Sequence, residues 1–311
     1  MCVIGLGLIG GSLARASVAA GRTVWAATAS AATASAARAD GYDVADSTEA
    51  ALDRAKADDA LVVLAVPLTA VADVLRPVHA VAPECRLTDV VSVQGAMRDA
   101  VRRHAPHARY VGGHPMAGTA ESGWAAGSTV LFRGANWVVA SDDGLDREVW
   151  ADVADLAWDC GARVVPAGAE DHDAAVARVS HLPHLLAAVL ATVAAEDGET
   201  GGLALTLAAG SFADATRVMD TRPELVLAMC EGNRAGLLPA VDDALGRLGA
   251  ARGSLASTGG LAATVNAGHR ARQQWHQARS APTVTVRRDA TMAELRRLGR
   301  AGQVLTGWTP S

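Results

Sequence analysis

Lysine is almost missing from this chain of 311 residues: Lys56 is the only one among 28 basic residues, and it sits in the polar run "DRAKADD". Schiff-base and lysine-base chemistries therefore have one candidate, in what reads as a solvated helix end. Aromatic residues are scarce at 4%, and alanine is heavily used, which reflects coding bias more than function. A basic excess is lacking too. The net charge is -5 with interspersed signs, so there is no stripe of the kind nucleic acid requires and no nucleic-acid partner is expected. The four cysteines, Cys2, Cys85, Cys160 and Cys230, lie far apart and form no CxxC pair, which predicts free thiols and a cytoplasmic location. Long apolar runs are missing as well. The longest, "LLAAVLATVAA" at 185–195, falls short of the ~20 residues a membrane span needs. It reads as a buried helix, and no leader is expected before a first strand that begins at Met1 or Cys2.

What is present supports two cores, since half of the residues are hydrophobic. "CVIG", "TVWAA", "ALVVLAVP", "LTDVVSV", "RYVGG", "NWVVA" and "RVVP" read as short buried strands with helical stretches between several of them. That alternation predicts an α/β fold, a Rossmann-like, doubly wound and mostly parallel sheet with helices on both faces, over residues 1–166. Residues 167–280 carry almost no strand signal and read as an all-α domain. Its stretches "HLLAAVLATVAA" and "PELVLAMC" exceed what one small bundle buries, which predicts a homodimer through this domain. Residues 281–311 hold a strand candidate, "TVTV", and a helix that starts at Asp289 or Thr291 and ends at Gly302, with no assigned role.

"GLGLIG", residues 5–10, is a GxGxxG placed between a strand and a helix. Gly5 permits the tight turn, Gly7 lets backbone N–H groups approach a pyrophosphate, and Gly10 lets helix and strand pack closely. With Leu6, Leu8 and Ile9 they form the candidate phosphate loop at a helix N-terminus, and Val66 and Pro67 close the third strand beside it. After the second strand, "WAATAS" has neither the acidic residue that marks NAD nor an adjacent arginine for NADP. Thr28, Ser30 or backbone groups are left for the ribose. NAD is the expected cofactor, and NADP stays open because Arg38 could fold back.

"TDVVSVQG" puts Ser92 and Gln94 at the carboxyl edge of the sheet, although a serine there could equally cap a helix. His114, in "VGGHPMAGTAESG", ends the next strand on the same edge. Serine and histidine beside a nicotinamide suit alcohol oxidation, with the histidine taking the hydroxyl proton as hydride leaves carbon. "SHLPHLL" sets His181 and His184 three apart, yet no carboxylate or cysteine follows at ligand spacing, so no metal is expected. Arg217, in "SFADATRVMDT", is either a fork for a substrate carboxylate or an ordinary surface residue.

Taken together, "GLGLIGGS", "DVVSV", "GGHPMAGTAESG", "VSHLPH" and "DATRV" resemble the prephenate dehydrogenase family, particularly its actinobacterial members, in order and from residue 1 to about 275. The resemblance implies a Rossmann domain joined to a helical dimerisation domain, and oxidative decarboxylation of prephenate to 4-hydroxyphenylpyruvate. It implies His114 as acceptor of the ring-hydroxyl proton and Ser92 as the hydrogen-bond partner of that hydroxyl. His184, Arg217, Gly118 and Thr119 would bind substrate, in a cleft between the domains. Two departures stand out: Gln94 occupies a position where the family commonly has lysine, and Ala213 one where it commonly has arginine. Both remove positive charge, which raises an amine-bearing substrate, arogenate or 4-amino-4-deoxyprephenate, as the alternative, with Gln94 facing the ammonium. A β-hydroxyacid dehydrogenase needs a lysine in the helical part, which is absent. A non-catalytic dinucleotide-binding protein is the remaining rival.

Overall fold

The computed structural model describes every residue except Ala120, residues 196–200, residues 280–281 and Ser311. The chain divides into two compact units: Met1–Asp173 together with the residues from Thr283 onward, and Ala174–Pro282.

The first unit opens with β1 (Cys2–Ile4), α1 (Leu8–Ala19), β2 (Trp25–Ala27), α2 (Ala31–Ala39), α3 (Thr48–Ala57), β3 (Val62–Leu64), α4 (Val71–Val81), β4 (Arg86–Asp89), α5 (Gln94–His104) and β5 (Arg109–Tyr110). These five strands form one parallel sheet in the order β2-β1-β3-β4-β5. The three residues of β1, β2 and β3 are all buried, which is why their sequences run apolar without alternation. Ser30 and Ser47 start α2 and α3 by accepting the amides of Thr33 and Ala50.

A single continuous sheet was the expectation; the structure instead starts a second one. The expected strand 109–113 breaks at Val111–Gly112, and β6 (Gly113–Pro115) runs antiparallel to β7 (Asn136–Ala140). After α6 (Arg147–Asp159) comes β8 (Arg163–Ala167), parallel to β7, and then α7 (Ala169–Val176).

The second unit is helical: a π-helical turn at Ala177–His181, then α8 (Leu182–Ala195), α9 (Gly201–Thr206), α10 (Gly210–Thr216), α11 (Pro223–Gly232), α12 (Arg234–Ser257) and α13 (Ala262–Arg279). The expectation of α8 as a buried helix is not met, because only Ala187 is buried along it. Leu186, Val189, Leu190 and Val193 are exposed at i, i+3, i+4 and i+7, one continuous helical stripe. Helix continuity through α7 also makes Ala169–Ala195 long and apolar enough to cross a membrane by length and composition, at mean hydropathy 1.4. Periodicity cannot tell a helix buried within its own chain from one whose apolar face awaits another surface.

The tail is not a separate extension. It contributes β9 (Thr283–Val286), α14 (Met292–Arg300) and β10 (Val304–Trp308) to the first unit, completing the second sheet as β6-β7-β8-β10-β9. Thr291 begins α14 with a reciprocal capping box to Glu294, and Gly302 ends it at positive φ. Gly299 lies so close to the Pro166 carbonyl that no Cβ fits between α14 and β8. Trp308 anchors the far end, donating to Asp155 at 2.7 Å and packing edge-on against Trp150 and Trp158. Sequence reading put the end of the α/β part at 166; packing carries it to Asp173, because the first turns of α7 bond back to residues of the first unit.

Candidate active site

Two of the phosphate-loop glycines, Gly5 and Gly10, are forced by backbone proximity. Gly5 has φ +103°, and a Cβ there would press on the Ala65 carbonyl and lie 2.9 Å from the Val66 side chain. A Cβ on Gly10 would run into the Gly5 carbonyl and sit 2.8 Å from Ala65 Cβ. Gly7 is exposed, with nothing around its Cβ position, and it precedes α1 without any side chain capping the helix. Those first-turn amides, carrying the positive end of the helix dipole, suit a pyrophosphate. Leu6 is buried, so it can offer a ligand only its backbone, whereas Leu8 and Ile9 are half-buried and Val66 and Pro67 follow β3 alongside. At the ribose position Thr28 is half-buried, while the exposed Ser30 hydroxyl accepts the Thr33 amide as the α2 cap and keeps its O–H to donate. Arg38 does not fold back: it donates to the Val44 and Ala45 carbonyls and pairs with Asp46 at 2.8 Å.

His114 heads a chain of three side chains. Its Nδ1 lies 2.8 Å from Nε2 of His172, whose own Nδ1 lies 2.8 Å from Asp173 Oδ1. A carboxylate only accepts, so His172 carries its proton on Nδ1 and accepts from His114 Nδ1–H through Nε2. That tautomer leaves the basic lone pair of His114 on Nε2. Asp173 is itself held at the start of α5, accepting the backbone amides of Gln94 at 2.9 Å and Gly95 at 2.8 Å. Sequence reading missed His172 and Asp173. Their signal, "EDHDA", looks like any polar helix start, and only the fold brings it 58 residues back to His114.

Ser92 is half-buried between β4 and α5. The helix begins after it, with Val93 at the cap position and no side-chain cap, so the capping alternative for Ser92 is excluded. Gln94 is a correction. It is 2% exposed, and its amide donates to the Val91 carbonyl at 3.2 Å and the Gly113 carbonyl at 3.0 Å, so its donors face the protein interior and not a ligand. Gly118 and Thr119 are exposed beyond β6. A cavity of about 380 Å³ opens beside α5, lined by Arg98, Arg102, Arg109, Asp142 and Asp146 among others, but neither His114 nor Ser92 borders it.

Residues 13–166 match the family model described as prephenate dehydrogenase, nucleotide-binding domain, and residues 168–258 the one described as prephenate dehydrogenase, dimerization domain. The chain belongs to the prephenate dehydrogenase family. Cyclohexadienyl dehydrogenase of Zymomonas mobilis is 31% identical over 264 residues, 84% of this chain and 89% of that protein. A solved Corynebacterium glutamicum protein assigned as a prephenate dehydrogenase superposes with TM-score 0.92 at 43% identity, covering 99% of this chain and 98% of its own. Synechocystis arogenate dehydrogenase superposes with TM-score 0.72 at 28% identity, covering 90% and 98%. This prephenate dehydrogenase family member is an NAD(P)-dependent oxidoreductase with a dehydrogenase role in tyrosine biosynthesis.

In the second unit, His184 Nδ1 donates to the Ser180 carbonyl at 2.8 Å, which again puts the lone pair on Nε2. His181 is fully buried and bonded to Asn233 at 3.0 Å. Arg217 starts an exposed 3-10 turn after α10, and Ala213 is exposed on α10. No group of three His, Cys, Asp or Glu among the described residues could hold a metal.

Proposed function

We propose that this enzyme oxidatively decarboxylates prephenate to 4-hydroxyphenylpyruvate, with NAD as hydride acceptor. The reading rests on the His114–His172–Asp173 chain, which readies a neutral imidazole in the nucleotide-binding unit of a family of dehydrogenases. NAD bound on the Gly5–Gly10 loop supplies the hydride acceptor, and the engagement of Arg38 with Asp46 leaves no arginine ready for a 2′-phosphate. His114 Nε2 takes the proton of the ring hydroxyl as hydride leaves C4, and His172 with Asp173 spreads and stabilises the resulting positive charge. Ser92 orients the hydroxyl. The carbon–carboxylate bond then breaks, CO2 departs, and its electron pair completes the aromatic ring. Arg217 pairs with a substrate carboxylate, and His184, Gly118 and Thr119 complete the binding set. The working form is a homodimer joined through the helical unit, in keeping with the dimerization-domain match, and a cytoplasmic location accords with four free cysteines.

The amine-bearing alternatives keep the argument from missing positive charge, but the two donors of the Gln94 side chain go to backbone carbonyls and not to a ligand. Measured kcat/KM for prephenate, arogenate and 4-amino-4-deoxyprephenate decides: prephenate is expected to lead by at least about tenfold, the effect of one misplaced charge. A preference for either amine overturns the substrate. His114→Asn should lower kcat by ~10²–10⁴-fold, and retained turnover overturns the proton-acceptor role.

A further inference from the structure

We propose that Asp89 and Gln94 together form a clamp that sets the position of Ser92 against His114, making both of them positioning residues for the reaction. The inference rests on the roles given to Ser92 and His114 above.

Four backbone groups carry it. Asp89 accepts the Val91 amide at 2.7 Å on one carboxylate oxygen and the Gly113 amide at 3.4 Å on the other. Gln94 Nε2 donates to the carbonyls of the same two residues. Val91 immediately precedes Ser92, and Gly113 immediately precedes His114. Two buried side chains thus bind both polar groups of the residue before the serine and both polar groups of the residue before the histidine. A shift of either strand end relative to the other breaks bonds at both side chains, and buried unpaired amides and carbonyls are costly.

The glycine pair before His114 follows from this. A Cβ on Gly112 would collide with Gln94 Oε1 and lie 2.9 Å from the Tyr110 hydroxyl, and one on Gly113 would lie 2.7 Å from the Asp89 carbonyl. Gly112 leaves room for the Gln94 side chain, and Gly113 for the close approach of the Asp89 backbone. Gln94 has a further tie, since its backbone N–H donates to Asp173, which links the clamp to the His114–His172–Asp173 chain by one hydrogen bond.

Asp89 is fully buried, and burial pushes its carboxyl up to about 7 against the opposing pull of the Tyr110 hydroxyl, 2.6 Å away, and the two amides. Once protonated, one oxygen becomes a donor facing donors, and the Gly113 arm weakens. The titratable group bonded to it is Tyr110 on β5, which itself feels the charges of Asp142 after β7 and Asp173 on α7. Arg86, at the other end of β4, is paired with Asp59 and with Asp152 of α6.

The test measures kcat, NAD dissociation constant and kcat–pH profile for Asp89→Asn, Gln94→Leu, their double variant and Tyr110→Phe. Each single clamp variant should lose about 10–10²-fold in kcat, the cost of a misplacement near 1 Å, with NAD affinity within about twofold. The double variant should lose little more than the worse single one, because the clamp acts as a unit. Tyr110→Phe removes a donor that favours ionised Asp89, so the acidic limb should move up by about one pH unit. Full kcat in both single variants overturns the clamp, as does an unmoved limb in Tyr110→Phe, or a loss of NAD binding that parallels the loss of kcat. Retained turnover in His114→Asn would instead sink the site reading itself, so the two failures are distinguishable.

Discussion

The two units differ in where their apolar surface ends up. In the first, Trp137, Phe132, Leu13 and Val153 are fully buried in one core and Leu64, Leu75 and Met97 in another, so the unit closes on itself. In the second, the described buried apolar residues are few, while Val189, Leu190 and Val193 remain 51%, 41% and 64% exposed. A unit that exposes this much apolar surface has its remaining stabilisation in contacts it has yet to make. The first unit is therefore expected to answer to substitutions one chain at a time, and the second to answer to concentration.

Gly10→Val gives the sharpest break on the first side. The added side chain meets the Gly5 carbonyl and Ala65, so unfolding should become easier by about 3 kcal/mol and NAD binding should be lost. Denaturant titration and equilibrium binding measure both. On the second side, Leu190→Asp should leave that binding intact and weaken self-association by about 10²-fold, judged from the burial of one apolar side chain per copy. Light scattering across a dilution series checks it, and an unchanged mass would remove α8 from the interface.

A third effect separates stability from function within the first unit. The Asp89 carboxyl is raised to about 7 in the folded chain from an ordinary value of 3.8. Between those values the folded state holds a proton that the unfolded state has released. The contribution is thus fully present below about pH 4 and is lost as pH rises through 7. From pH 5 to 7 the loss amounts to about 2 kcal/mol. Asp89→Asn lacks this term, so melting curves should show its stability gaining on the parent over that range even as turnover falls. Smallest of all, Trp308→Ala removes the Asp155 bond and two ring contacts from a half-buried residue. It should cost about 1–2 kcal/mol, with little effect on self-association.

The phosphate loop was legible because its chemistry lies within six consecutive residues, where spacing alone dictates which Cα must lack a side chain. Ser92 and His114 were proposed because each was expected to follow a strand of one parallel sheet; Ser92 does follow β4, whereas His114 lies within β6 of the second sheet. Gln94 was misread. Its side chain looked like a charge substitution facing a ligand, but Gly112 leaves space that the amide fills from behind. The tail was left without a role because β9 and β10 are short, and β8, the strand through which β10 joins the sheet, lies more than a hundred residues away.

By itself, then, the order of amino acids determined a nucleotide-binding α/β unit and a helical unit and pointed to Ser92 and His114 as the candidate pair for the chemistry, since local backbone sterics and hydrophobic period need no distant partner. Only the tertiary structure decided which buried groups hold that pair. His172 and Asp173 reach back 58 and 79 residues to bond His114 and Gln94, and Asp89 spans 24 to Gly113. Such bonds form where burial makes an unpaired polar group too costly to leave, and burial is a property of the folded chain.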